Sequence, residues 1–88
     1  MEDIRKHNLI LENRNVMNIT GVNDVTQFSD EKIVLSTEMG VLDIEGDSLH
    51  INSFVQETSE LRMEGNIDAL IYHDKPAEKN GLLSRLFR

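Results

Sequence analysis

The side chains that could carry out nucleophilic or metal-dependent chemistry are few and lie far apart in the chain. The six serines occur outside the Gly-x-Ser-x-Gly context of an activated nucleophile, and the chain contains no cysteine. The three histidines, His7, His50 and His73, show no paired spacing of the kind that binds zinc. We therefore predict a protein that is not an enzyme and has no catalytic, metal or cofactor site.

One row of carboxylates could attract a cation. Asp43, Glu45 and Asp47 alternate along a predicted strand and into its turn. Three carboxylates in step could bind Ca²⁺, but the longer pattern of an EF-hand loop is absent. A solvated polar face is the favoured interpretation of the row, because carboxylates are mostly exposed in proteins.

Length and charge restrict the possible classes of function. The chain has 88 residues, enough for one small domain, and its formal net charge is −7. An acidic surface repels phosphates, so nucleic acid is not an expected partner. The absence of cysteine suits a reducing compartment, and neither a signal peptide nor an apolar run of ~20 residues is found. We expect a cytoplasmic protein that is neither secreted nor membrane-spanning.

The elements that must position any site are predicted to be strands. Apolar residues recur at every second position in runs such as Met17–Ile19 and Leu61–Met63, which is the period of a strand. Gly46 and Gly65 are followed by Asp or Asn, and each pair is predicted to form a two-residue hairpin turn. Residues 1–74 are therefore predicted to form one all-β domain, a small antiparallel β sandwich or barrel of about seven or eight strands.

The C-terminal segment differs from this domain. Residues 75–80 are polar and contain the one proline, so they are predicted to be a linker, and residues 81–88 are predicted to form a short amphipathic helix. Residues 75–88 carry four Lys and Arg against one Glu, a net charge of +3, whereas residues 1–74 carry five against fifteen Asp and Glu, a net charge of −10. The residues predicted to bind a membrane or a partner are Leu82, Leu83, Arg85, Leu86, Phe87 and Arg88.

This basic tail has three interpretations, which the sequence leaves open. Its Leu and Phe side chains could enter an anionic membrane surface while Arg and Lys meet the headgroups. The helix could instead dock into the groove of a partner protein, or pack on its own β domain and complete the core. A helix this short is marginal alone, so it needs a surface on which to fold.

Several segments taken together are similar to the YabP family of sporulation proteins. They are, in chain order, Ile19–Val22, Val25–Ser29, Glu38–Val41, the Gly46 hairpin, Leu70–Tyr72 and the closing Gly81–Phe87. The resemblance covers nearly the whole chain from about Asn8, and its motifs are hydrophobic patterns, not catalytic signatures. The basic tail favours the YabP branch over the related YqfC-like branch.

The resemblance implies a biological setting and no molecular activity. It implies expression during endospore formation in a Gram-positive bacterium. It also implies action in the mother cell, near the forespore envelope and its cortex or coat. A multi-pass membrane sporulation protein is the partner that it suggests, and it carries over no catalytic residue.

The residues and the resemblance together give the expected function. We expect a non-catalytic, self-associating β binding module that its tail places at an anionic membrane surface or on a membrane sporulation protein. Self-association is expected because several weak tails bind firmly through avidity. The expected location is the mother-cell cytoplasm, peripheral to the forespore membrane. The alternative is a structural subunit of the spore envelope whose tail is an inter-subunit clasp.

Overall fold

The computed structural model describes residues 7–74, and all of the regular structure in that range is β strand. The prediction of an all-β domain is confirmed. The predicted linker and C-terminal helix, residues 75–80 and 81–88, lie outside the described residues. The strands are, in chain order, β1 (Leu9–Glu12), β2 (Val16–Ile19), β3 (Val22–Phe28), β4 (Lys32–Thr37), β5 (Gly40–Val55) and β6 (Glu60–His73).

These strands form one open antiparallel sheet in the order β1-β2-β6-β5-β4-β3. The predicted sandwich or barrel of about seven or eight strands is therefore wrong, because the described residues form six strands in a single sheet. The error comes from Gly46 and Gly65, which lie inside long strands and not at hairpin turns. β5 and β6 each continue past the glycine, so the runs that a turn would separate are parts of one strand.

Register shifts bend the hairpin of β5 and β6 near its middle. The pairing of the two strands shifts between Asp47 and His50, where Ser48 has a positive φ of 57°. Bulges of this kind bend a strand and increase its twist. On one side of the bend β5 pairs with β4, and on the other side β6 pairs with β2. The bend therefore divides the sheet into two halves whose strands run in different directions, and both halves contain β5 and β6.

Two glycines allow the backbones to approach at this bend. A Cβ atom at Gly46 would overlap the carbonyl oxygen of Asn66. A Cβ atom at Gly65 would lie 2.7 Å from the Cα atom of Leu49, and Gly65 also has a φ of 143°. Glycine is the residue that tolerates both the positive φ and the close contact. The bend therefore requires glycine at these two positions.

The sheet must also curl, because β2 and β3 are consecutive in the chain but lie four strands apart in the sheet order. In a flat sheet with strands ~4.8 Å apart that separation would be roughly 19 Å. The three steps from Ile19 to Val22 span at most about 11 Å. The Val22 amide also donates a hydrogen bond of 3.0 Å to the carbonyl oxygen of Ser59, in the turn between β5 and β6. The curl thus brings β3 back to the β5–β6 turn.

One hydrophobic core fills the concave face of this curled sheet. Its side chains alternate along the strands, as the period of two predicts, and each is at most 3% exposed. Thr37 is the buried polar residue of the described part of the chain, and its Oγ1 donates a 2.7 Å hydrogen bond to the Gly40 carbonyl. The core residues are Met17, Ile19, Val22, Ile33, Leu35, Leu42, Ile44, Leu49, Leu61, Met63 and Ile67.

Replacing either glycine of the bend with alanine is expected to destabilise the fold. In Gly65→Ala the new methyl group meets the Leu49 backbone while φ stays positive, so we expect the free energy of unfolding to fall by about 2–4 kcal/mol. Gly46→Ala is expected to lose a similar amount, because its methyl group meets a backbone oxygen. Urea denaturation followed by circular dichroism measures both losses.

Glu57→Ala is the control for these variants, because Glu57 is exposed in the turn between β5 and β6. A surface substitution of this kind changes the free energy of unfolding by less than about 0.5 kcal/mol. Glycine variants that unfold at the same urea concentration as the control would show that the strands do not approach this closely.

Candidate functional site

A cleft of about 370 Å³ crosses the first half of the sheet. Much of its lining is a row of side chains on the face opposite the core, formed by successive partners on β1, β2, β6 and β5. That row is Ile10, Asn18, Arg62 and Ser53. Thr20, Val55 and Glu60 also line the cleft. The pairing of strands, and not any local motif, assembles this site.

The cleft has the character of a binding surface. Arg62 Nε donates a hydrogen bond of 2.9 Å to Asn18 Oδ1, which orients the guanidinium group on the floor. Ile10 and Val55 are 56% and 44% exposed, so apolar side chains lie beside this polar pair. Ser53 makes no hydrogen bond to a histidine or a carboxylate within the described residues, so it lacks the activated arrangement of a nucleophile. The arrangement can hold an apolar group and a hydrogen-bond acceptor side by side.

One carboxylate of the predicted row, Asp43, contacts two basic side chains on the other half of the sheet. Asp43 is only 15% exposed, and its Oδ2 lies 3.1 Å from His73 Nε2 and 3.8 Å from Lys32 Nζ. Within residues 7–74 no three carboxylate, imidazole or thiol groups are close enough to hold a metal ion. Lys32 is missing from the sequence-based candidates. The sequence does contain a signal for this contact, the tight turn between Thr37 and Gly40. A turn at that point fixes the register of β4 against β5, and this register brings Lys32 close to Asp43.

His50 lies on the exposed face of β5. Its Nε2 is 3.6 Å from Glu64 Oε1 on the neighbouring strand, and both side chains are largely exposed to solvent. This is the polar-face position that the alternation along the strand predicts. A solvent-exposed contact of this kind contributes little to stability, so it marks no special site.

His7 links the residues before β1 to the end of β6. Its Nδ1 lies 2.7 Å from the Thr20 carbonyl oxygen, and its Nε2 lies 2.5 Å from the Tyr72 hydroxyl oxygen. Because a carbonyl oxygen can only accept, the proton of neutral His7 is on Nδ1, and Nε2 accepts from the Tyr72 hydroxyl. The rings also meet edge to face, with centroids 5.6 Å apart. Since 65 residues separate the pair, no sequence spacing reveals it.

The residues predicted to bind a membrane or a partner lie outside the described part of the chain, so their role stays a prediction. They are Leu82, Leu83, Arg85, Leu86, Phe87 and Arg88. Among residues 7–74 no helix is long and apolar enough to cross a membrane. The cleft is a candidate binding site within the described residues, and sequence reasoning did not identify it.

Comparison with known proteins gives one consistent relationship. The model of the YabP family matches residues 3–79, a range that contains all six strands. A relative, "Spore protein YabP" of Bacillus subtilis (strain 168), is 28% identical over 85 residues. That alignment covers 94% of this chain and 85% of the relative.

Alkaline solution is expected to destabilise the fold through Tyr72. Burial raises the pKa of Tyr72, so the unfolded chain releases the phenol proton at a lower pH than the folded protein does. The free energy of unfolding is therefore expected to fall as pH rises through the unfolded value of about 10. Tyr72 is the one tyrosine, so Tyr72→Phe should lack this part of the alkaline loss.

The urea midpoints of the wild-type protein and of Tyr72→Phe, each at about pH 8 and about pH 10.5, measure this difference. Lysine titration affects both proteins equally and therefore cancels in the comparison. Equal alkaline losses in the wild-type protein and in Tyr72→Phe would show that Tyr72 is not desolvated by the fold.

Proposed function

This chain belongs to the YabP family of spore proteins, and we propose that it acts in sporulation by binding and not by catalysis. The observation that carries the proposal is the cleft, in which exposed Ile10 and Val55 lie beside the hydrogen-bonded Arg62 and Asn18. Neither the family match nor the relative indicates a catalytic family. The chemistry of the cleft suits a peptide or protein surface more than a reacting substrate.

The proposed setting is the mother cell, near the forespore membrane and the developing cortex or coat. In this proposal the β domain self-associates, and the tail places it at an anionic membrane surface or on a multi-pass membrane sporulation protein. The charge distribution supports such a tail, since residues 75–88 carry a net charge of +3 and residues 1–74 one of −10. Opposite charges in one short chain favour separate roles for the two parts.

A single tail would bind weakly. Partial burial of four large apolar side chains contributes a few kcal/mol at ~25 cal/mol per Å², and each basic residue near an anionic surface adds about 1 kcal/mol. Ordering of the tail and repulsion by the acidic domain oppose these contributions. Several tails on one oligomer would bind far more firmly, because each later contact is intramolecular. The proposal therefore couples membrane placement to self-association.

A structural subunit of the spore envelope is the second candidate. The open sheet favours it, because the end strand β1 pairs on one side only within the described residues. In that case the domains assemble with one another and the tail clasps the next subunit. This candidate predicts assembly that depends on concentration and needs no lipid.

Co-flotation with anionic liposomes is expected to depend on the tail. The full chain should float at low salt and less at physiological salt, because screening weakens the attraction of Lys and Arg to the headgroups. A chain that ends at Asn80 should stay in the unbound fraction. The double variant Leu83→Glu with Phe87→Glu should also fail to float, since it places two charges on the predicted apolar face.

Neutral liposomes serve as the control for electrostatic attraction, and the full chain should float with them poorly. If the chain that ends at Asn80 floats as well as the full chain, the tail is not the membrane-binding element. If none of the proteins floats, docking on a partner protein or packing on the β domain replaces the membrane interpretation.

A further inference from the structure

The outer edge of β1 has backbone groups that pair with nothing among the described residues. β1 lies at the end of the sheet and pairs with β2 alone. The Thr20 amide donates a hydrogen bond of 2.9 Å to the Asn8 carbonyl, so the even-numbered residues of this segment direct their backbone groups toward β2. The amide and carbonyl groups of Leu9 and Leu11 therefore point away from the sheet.

The opposite end of the sheet is built differently. β3 shifts its register twice along its pairing with β4, between Val22 and Asp24 and between Val25 and Gln27. Register shifts of this kind distort an edge strand and hinder its pairing with another chain. β1 has no register shift, and its outward-facing Ile10 is 56% exposed. The regular edge of β1 is therefore better suited to strand addition than the irregular edge of β3.

We propose that β1 pairs antiparallel with β1 of a second copy, around a two-fold axis at Ile10. The inference rests on the proposed function, because it names the surface of the self-association. In this register Leu9 of one copy exchanges backbone hydrogen bonds with Leu11 of the other, and the symmetry repeats the exchange. Roughly four hydrogen bonds then join the copies into one continuous sheet.

Other antiparallel registers pair a leucine of β1 with a residue that lies outside the strand. A shift of two residues in either direction leaves one pairing between leucines and brings His7 or Asn13 opposite the other leucine. Asn13 has a φ of 57°, which lies outside the strand region. The register centred on Ile10 is therefore the one in which both leucines of each copy pair with leucines.

The side chains in this register also suit a second copy of the same chain. Ile10 faces its symmetry mate in the close, non-hydrogen-bonded pair, and both isoleucines lose exposed apolar surface. Glu12 faces Asn8 of the other copy, so no carboxylate is placed directly opposite a carboxylate. Because Ile10 also lines the cleft, the clefts of the two copies become neighbours along one face of the joined sheet.

The pairing stops at two copies, and its strength depends on the salt concentration. A two-fold contact occupies the β1 edge of both copies, so neither copy has a free β1 edge for a third. Each copy carries a net charge of −7, so the copies repel each other at low ionic strength. Added salt should therefore strengthen dimerisation, in contrast to its expected effect on liposome binding.

The variant Ile10→Cys tests the pairing directly, because the chain contains no other cysteine. The Cα atoms of a close antiparallel pair are about 4.5 Å apart, which lies within the range that a disulfide bridges. Under mild oxidation the full-length variant should form a disulfide-linked dimer on non-reducing gels. Ile71→Cys is the matched control, since Ile71 is also an exposed isoleucine on a strand but lies on β6. It should cross-link at least about ten-fold more slowly.

Sedimentation of the unmodified chain and of Ile10→Lys and Ile71→Lys completes the test. The unmodified chain should dimerise, and Ile10→Lys should weaken the dimer by about ten-fold or more, while Ile71→Lys, with the same change in net charge, should not. A dimer that cross-links equally through both cysteines, or that Ile10→Lys leaves intact, overturns the β1 surface but keeps self-association. A chain that stays monomeric at all concentrations and salts overturns both.

Discussion

The fold depends on the bent hairpin of β5 and β6, because these two strands of 16 and 14 residues belong to both halves of the sheet. The bend requires the backbones to approach at Gly46 and Gly65, where any side chain would meet the opposite strand. Because the sheet curls around this hairpin, a single sheet can enclose a core that would otherwise need a second layer. The other strands add to this hairpin on either side.

The same curl determines where binding can occur. The concave face is filled by the core, so the convex face and the ends of the sheet remain for contact with other molecules. Ile10 lies at the meeting point of both, since it lines the cleft and lies on the end strand β1. A small protein can bind specifically in this way, because strand addition supplies directed backbone hydrogen bonds and the cleft supplies side-chain contacts.

Local pattern identifies the buried face but not the topology. The alternation at Met17 and Ile19 correctly predicts which side chains are buried, because the strand period is a local property. The sequence analysis assigns Gly46 to a hairpin turn, because Gly-Asp suits such a turn as well as it suits a bent strand. The close contact of Gly46 with Asn66, which identifies the bent strand, becomes visible only in the structure. The Arg62–Asn18 pair of the cleft depends on the pairing of β2 with β6, which no local pattern contains. The basic tail, identified from its composition, lies outside the described residues.

Amide hydrogen exchange followed by NMR tests this account most directly, because it reports the opening of each strand residue by residue. If the β5–β6 hairpin holds the fold together, the amides of Asp43 and Glu64, which face across the hairpin, should exchange slowest, at rates close to those of global unfolding. The outward-facing amide of Leu9 should exchange much faster in dilute solution. Slow exchange at Leu9 with fast exchange at Asp43 and Glu64 would contradict the account, because the stability would then reside in the outer strands.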